Sequence, residues 1–570
     1  MSLVKVDVVI VGCGAAGGVM AKELSTNGMK VVALDRGDFL RTRDCAQLDE
    51  LRYKVRGEIQ KPILNDTQVQ WRPDEETDTI GLPFVMASGV GGSTRHYTTQ
   101  HWRMLPHHFK QYSENVERYG ANAIPEGSGL VDWPMSYDEL APYYDKVDEE
   151  IGTSGKAGNI NGTIQAGGNP FEGPRNKDYP MPPLLQSTVA RLAKPVMEDL
   201  GYDPFPSPSS IATENYKGRP ACTYCSFCTS YYCFIGAKGS TNVTVLPIGI
   251  ESGNLEIRPN VRVTKINKDS DGVKATGVTY LDVDGNQQEQ PASLVIVSSY
   301  TYENIRLLLH SDINKNGMVG KYFMAHHYPQ VIGYFDKTAT NPSAGPWASC
   351  LCMDNFNGDN FDHTGLGFIE GAMIQAMGGD LQAIGGSGAG AWSIPMPDDT
   401  PSFGEGYKQA LKKYFNRVAT VLPQVPSLPY DANYCDLDPT VKDQIGMPVL
   451  RITYNAYENE LKAGAYLQNI AENILKEMGV AKIKKVGLFT PPATAHEVGG
   501  VRMGTDPAKS VLNKYLQSWE LSNMFVVGGA VFPTYFGYNP THTIEALAYW
   551  SSDYIKKESK TGGLLAKYFD

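Results

Sequence analysis

The chain has 570 residues, long enough for more than one domain, and carries 51 basic against 62 acidic side chains for a formal charge of −11. An acidic balance with a pI near 5.5 excludes the basic face that nucleic-acid binding requires, and 42% hydrophobic with 20% charged residues excludes a disordered chain. No stretch reaches the roughly 20 apolar residues of a membrane span, and the apolar run near the start lacks the basic flank and small-residue cleavage site of a signal peptide.

In chain order, Val6 to Val11 is a largely β-branched run, the pattern of a strand buried on both faces of a parallel sheet. It enters Gly12-Cys13-Gly14-Ala15-Ala16-Gly17 and then a helical pattern through Met20, Ala21 and Leu24. A second strand from Lys30 to Leu34 ends at Asp35, 18 residues after Gly17. Gly12 permits the tight turn, Gly14 lets backbone approach a pyrophosphate, and Gly17 lets helix and strand pack closely. Asp35 is placed to accept hydrogen bonds from a ribose diol. The strand, helix and acid around the glycines predict dinucleotide binding, without deciding between NAD and FAD.

Further on, Gly152–Pro174 and Pro204–Ser210 read as surface connections. Nine cysteines are too few for a disulfide scaffold at this length, yet Cys222, Cys225, Cys228 and Cys233 fall within twelve positions. Structural zinc normally draws on two separated knuckles; here all four thiols sit in one loop, as in a ferredoxin run. The last spacing is one residue longer, and Phe234 stands where proline is usual. An iron–sulfur cluster, [4Fe–4S] or [3Fe–4S], is the favoured reading, with zinc, disulfides or free thiols as alternatives. Cys13, Cys45, Cys350, Cys352 and Cys435 read as small core residues. His101, His107 and His108 show no ligand spacing. Met373 to Gly390 is rich in glycine and apolar residues and leaves strand, bulge and loop open, whereas Tyr454–Gly479 has helical period.

Several segments together resemble the glucose–methanol–choline (GMC) oxidoreductases. They are Ala87-Ser88-Gly89-Val90-Gly91-Gly92-Ser93-Thr94-Arg95-His96; Ser298 to Leu309 followed by Val319 to His326; Thr494 to Gly504; and Val527 to Thr534 followed by Gly537 to Thr543. The cysteine cluster, with Val131 to Leu140 and Pro142-Tyr143-Tyr144, is similar to the branch containing flavoprotein subunits of bacterial gluconate, sorbitol and fructose dehydrogenases and glucoside 3-dehydrogenases. The resemblance implies an α/β fold: a Rossmann-like FAD-binding domain from residues 1–130, 205–335 and 490–570, with a second sheet-plus-helices substrate domain from 131–204 and 336–489.

The resemblance also implies roles. His496 and Asn539 match the family's pair facing the flavin. An imidazole titrating near pH 6.5 can accept an alcohol proton, and an amide can hold the hydroxyl and aim the C–H bond. Gly91, Gly92, Ser93 and His96 correspond to a flavin-contact loop, with His96 where some relatives attach the flavin covalently. Val263 matches an adenine-pairing strand, Gly529 and Ala530 a second phosphate contact, and Thr541 a further cofactor contact. His542 is expected to give packing or polar support. The implied activity is FAD-dependent oxidation of a secondary alcohol in a sugar, sugar acid or polyol. Electrons would leave through the cluster to a cytochrome or quinone-linked acceptor, with a small subunit carrying the export signal to the periplasm; without such a partner the enzyme would be cytoplasmic. Rivals are a glucoside 3-dehydrogenase, an O₂-using oxidase with structural zinc, and a non-enzymatic flavin carrier.

Overall fold

The computed structural model describes residues 3–45, 49–55, 69–82, 87–378, 395–492 and 494–569. The β-branched run does form a strand, Val6–Val11, and its last four residues are buried. It pairs in parallel with Val31–Leu34 on one side and with the end of Gln287–Val297 on the other. Leu255–Arg258 extends the parallel layer beyond Val31–Leu34, and Met524–Val526 extends it beyond Gln287–Val297. The beginning of Gln287–Val297 instead turns antiparallel to Ala275–Leu281, which pairs with Arg262–Lys268. One long strand thus joins a parallel layer to an antiparallel wing.

Helices Ala15–Thr26, Val245–Glu251 and Thr541–Glu558 pack together against this sheet. Gly18 of the first helix shows how tightly, since a Cβ there would lie 2.7 Å from Thr241.

A second, antiparallel sheet runs in the order Lys482–Lys485, Val331–Tyr334, Val418–Pro423, Ile374–Met377, Leu351–Met353, Phe205–Pro206. Helices Thr188–Asp199 and Glu458–Glu477 cover one of its faces through Val189, Ala193, Leu467 and Ile474. The helical period of Tyr454–Gly479 is therefore realised over Glu458–Glu477.

Of two expected surface connections, Pro204–Ser210 is largely buried, and Gly152–Pro174 begins buried but is exposed around residues 161–167. Phe205–Pro206 is an edge strand, and Phe205, Ser209 and Ser210 are buried. Thr153 and Ser154 are buried as well, with a short hairpin following at Asn159–Ile160 and Thr163–Ile164. Proline and serine marked irregular backbone correctly, but that backbone finds its partners inside the protein; the Ser154 and Ser209 N–H groups donate to each other's carbonyls at 2.7 and 2.8 Å. Of Met373–Gly390, Ile374–Met377 is a central strand and residues 379–390 lie outside the described residues. Among the described residues no helix is long and apolar enough to cross a membrane.

Candidate active site

The two sheets flank a cleft of about 400 Å³. At one end the chain supplies mostly backbone. Gly12 takes φ +90°, a conformation that suits only glycine, and a Cβ there would lie 2.7 Å from Ser299 Cα. At Gly17 a Cβ would meet the Gly12 carbonyl at 1.9 Å, so helix and turn touch. The helix Ala15–Thr26 begins at Gly14 with no side-chain cap and no acid in its first turn. Its first N–H groups are left for a ligand, and an anion such as a pyrophosphate suits such a terminus.

Asp35 is buried at the end of Val31–Leu34. Its Oδ2 accepts from Cys13 N–H at 2.9 Å and its Oδ1 from Gly37 N–H at 3.0 Å. Burial raises its pKa, and the two backbone donors with Arg95 and Arg36 counter that rise. Each oxygen keeps a lone-pair direction for a ribose hydroxyl. The cleft has an uncapped helix, glycines that a Cβ would jam and a diol-accepting acid, so its residues fit a dinucleotide.

The opposite wall carries the second half of the cradle. Gly91 takes φ +97° and its N–H donates to Cys13 carbonyl at 2.7 Å, tying the loop over residues 87–96 to the first turn. Gly92, Ser93 and His96 line the cleft, as do Val263, Gly529 and Thr541. Gly17, Gly91 and Ala530 do not; they stand directly behind the lining. His542 also lies behind it, stacked on His101 at 4.7 Å with Nε2 3.2 Å from Asp148 Oδ1.

His496 and Asn539 meet at the far end, with Asn539 Nδ2 3.1 Å from His496 Nε2. The turn presenting His496 is held from below. Ala495 adopts φ +63°, unfavourable for a residue with a Cβ. Buried Glu497 restrains it by accepting from the N–H groups of Thr494 and Ala495 at 2.7 and 3.0 Å, and Tyr300 Oη donates to the same carboxylate. Asn539 sits between Tyr538, stacked on Trp102 at 4.8 Å, and Pro540, which caps the helix Thr541–Glu558.

The hydrogen bonds around His496 assign its tautomer. His326 Nε2 lies 2.9 Å from the Phe536 carbonyl, which only accepts, so that nitrogen carries the proton. His326 Nδ1 is then an acceptor, 3.0 Å from His496 Nδ1. The Tyr328 hydroxyl is 2.7 Å from the same His496 nitrogen. His496 Nδ1 therefore donates, which leaves the Nε2 lone pair facing Asn539 and the cleft. Burial pushes the His496 pKa down to about 4 rather than leaving it near 6.5, and burial together with the neighbouring His496 holds His326 well below its usual range. Both imidazoles are neutral at pH 7.

His326 and Tyr328 were not singled out individually from the sequence. The sequence signal for them is the His-His-Tyr run over 326–328, whose first two residues form a short strand.

The expected iron–sulfur centre finds no support. Among the described residues no group of three or more His, Cys, Asp or Glu could hold a metal ion. Cys222 and Cys233 pack with Met181, Ala212 and Ala237, while the Cys228 carbonyl accepts from Lys238 Nζ at 2.7 Å. Thr229 and Ser230 of this loop line the cleft. Cys13, Cys350, Cys352 and Cys435 are buried as expected, whereas Cys45 is half-buried beside Cys233.

Oxidising CH–OH to a carbonyl needs an acceptor for the O–H proton next to a two-electron acceptor for the C–H hydride. A neutral imidazole nitrogen at the mouth of a dinucleotide cradle meets that need, and the class defined is an FAD-dependent oxidoreductase acting on CH–OH groups. The chain belongs to the GMC oxidoreductase family: models described by that name match residues 201–328 and 429–548. It is 35% identical to the gluconate 2-dehydrogenase flavoprotein of Pantoea cypripedii, over 98% of this chain and 94% of that one. It is 30% identical to the 2-methyl-1,2-propanediol dehydrogenase of Mycolicibacterium austroafricanum, over 97% and 95%. Identity to the fructose dehydrogenase large subunit of Gluconobacter japonicus is 27%, over 98% of both chains. Among solved structures, a variant of formate oxidase from Aspergillus oryzae matches the fold with a TM-score of 0.60 at 14% identity, covering 98% of this chain and 99% of that one.

Proposed function

We propose that the protein is a dehydrogenase that oxidises a secondary alcohol of a sugar or polyol. The observation that carries this is the His496 Nε2 lone pair, fixed toward Asn539 at the end of a dinucleotide cradle. When bound, FAD supplies the acceptor for the hydride, the C–H hydrogen with its electron pair. The substrate hydroxyl enters between His496 Nε2 and Asn539 Nδ2. Nε2 takes the O–H proton as the C–H bond breaks, so the substrate loses one proton and one hydride and leaves as a carbonyl compound. The Asn539 amide holds the oxygen and orients the carbon. His326 Nδ1 accepts from His496 Nδ1–H and stabilises the imidazolium as it forms.

A dehydrogenase is favoured over an oxidase by the relatives named above, all three of them dehydrogenases or parts of one. One is called a large subunit, which supports a partner subunit for this chain; an electron-accepting partner protein and export to the periplasm belong to the same proposal. Co-purification from the native host tests that part of the proposal.

The principal test is an anaerobic visible spectrum of the flavin-loaded protein before and after addition of gluconate, sorbitol, fructose or a glucoside. Bleaching of the flavin bands by one of them, with little oxygen consumption on admitting air, is the expected result; no bleaching by any alcohol would overturn the reading. The same preparation, precipitated with acid, tests covalent attachment at His96: flavin staying with the pellet supports it, and flavin released into the supernatant makes His96 a contact.

A further inference from the structure

The proton-accepting end of the cleft faces a row of glutamines on the second sheet that neither the family signature nor the sequence motifs point to. Gln375 lies on Ile374–Met377, directly across from Leu422 on Val418–Pro423. Gln330 stands one residue beyond the registered pair Val331–Val421, which brings it level with Leu422 from the other side. Side chains opposite one another on adjacent antiparallel strands share a face. Gln330, just before the strand Val331–Tyr334, therefore falls in one row with Leu422 and Gln375, and Gln424, two residues past Leu422, continues it toward Asn539. All four line the cleft.

Gln375 and Gln424 are held in place but not used up. Gln375 and Gln424 are each only 1% exposed. Gln375 Oε1 accepts from Gln100 Nε2 at 2.9 Å, while its own Nε2 donates to no described residue. Gln424 Nε2 approaches Gly537 O and Asn539 Oδ1 at 3.4 Å, and its Oε1 accepts from no described residue. The Gln330 side chain forms no hydrogen bond with the described residues. A buried amide with unmet donors and acceptors is expected to find a partner. In a substrate cleft that partner is the ligand.

A hydroxyl both donates and accepts, so it satisfies either end of an amide; Leu422, between two glutamines, offers an apolar surface to the C–H groups between hydroxyls. A carboxylate only accepts, and burying one without a cation or several donors is strongly unfavourable. The cations lining the cleft among the described residues are Arg36 and Arg262. Both stand at the cofactor end, engaged with Glu303 at 3.2 Å and Asp443 at 2.6 Å. Beside His496 the buried acidic residue is Glu497.

Building on the reading of the protein as a sugar or polyol dehydrogenase, we infer that Gln330, Gln375 and Gln424 are its specificity-determining wall. They read the hydroxyls that flank the reacting carbon and select a neutral polyhydroxylated substrate over a sugar acid. The preference thus departs from the substrate in the name of the gluconate 2-dehydrogenase relative.

The test uses the flavin-loaded full chain with sorbitol, its acid counterpart gluconate and the bare secondary alcohol cyclohexanol. Anaerobic flavin reduction is read alongside calorimetric binding of each compound. The expected result is kcat/KM for sorbitol exceeding that for gluconate by roughly a hundredfold or more. Gln375→Leu should weaken sorbitol binding and raise its KM about tenfold, with kcat changed less and cyclohexanol unaffected. Gln375→Glu, close in shape, should restore part of the sorbitol affinity and depress gluconate further; it also guards against a packing defect in the Leu variant. Gluconate preferred over sorbitol, or Gln375→Leu changing cyclohexanol and sorbitol equally, overturns the inference while leaving the alcohol-oxidising reading intact. No flavin reduction by any of the three, nor by fructose or a glucoside, overturns that reading, and the inference with it.

Discussion

At the cofactor end of the cleft the contacts come from backbone and at the substrate end from side chains, and the two ends differ in how they tolerate change. Gly12, Gly14 and Gly17 sit within one turn, where an added Cβ at Gly12 or Gly17 strikes main chain. At the substrate end His496, Asn539, His326, Tyr328 and the three glutamines come from five separate segments; side-chain hydrogen bonds of 2.7–3.4 Å join His496 to His326, Tyr328 and Asn539, and Asn539 to Gln424. Backbone contacts admit little variation, because main chain cannot be exchanged for another group. Side-chain contacts can be retuned one at a time, which lets one cradle serve different alcohols.

Breaking the cofactor end should have the largest effect. Gly17→Ala places a methyl 1.9 Å from the Gly12 carbonyl, so helix and turn must part. The expected result is purified protein with almost no flavin, read from the ratio of flavin to protein absorbance. A full complement of flavin in this variant would show that the cradle tolerates what its geometry forbids.

A smaller effect is expected behind the imidazole. His326→Phe removes the acceptor that fixes the His496 tautomer, and flavin reduction should slow about 10- to 100-fold, the range found where a residue orients a functional imidazole. His326→Gln keeps an acceptor and should recover much of the rate, an outcome that a purely structural role for the ring does not predict. Flavin content should stay unchanged in both, which separates the two ends experimentally.

The smallest effect concerns pH and stability. Burial holds His327, His496 and His542 down to about 4 and His108 to about 3. In the unfolded chain a histidine titrates near 6.5, so between about pH 6.5 and 4 the unfolded state binds protons that the native state does not. Their contribution is complete above pH 6.5 and is lost as pH falls toward 4, with each group adding a slope of up to about 1.4 kcal/mol per pH unit. The urea midpoint should therefore fall steadily from pH 7 to pH 5. His107 opposes the trend: burial lowers it, but Glu370 and Glu114 outweigh burial and raise it to about 10. A flat midpoint across that range would mean the histidines are hydrated rather than buried.

The same contrast explains what could be read from the sequence. The first strand, the glycine turn, Asp35 and the helix over 458–477 were legible because period and glycine spacing are local. His496 and Asn539 were legible only through a family resemblance. The His326–His496 contact spans 170 residues and the Gln375–Leu422 register 47, and no local pattern announces either. Pro204–Ser210 misled for a related reason: turn-forming residues report irregular backbone, not whether it is buried. The cysteine run gives a spacing only, and spacing alone does not establish a metal centre.

The central claim is that a neutral His496, with its Nε2 lone pair aimed at Asn539, takes the substrate proton. Stopped-flow measurement of anaerobic flavin reduction in His496→Ala tests it most directly. The account predicts a variant that binds flavin normally and is reduced by its best alcohol about 10²–10⁴-fold more slowly than the parent. Reduction at the parental rate would contradict it.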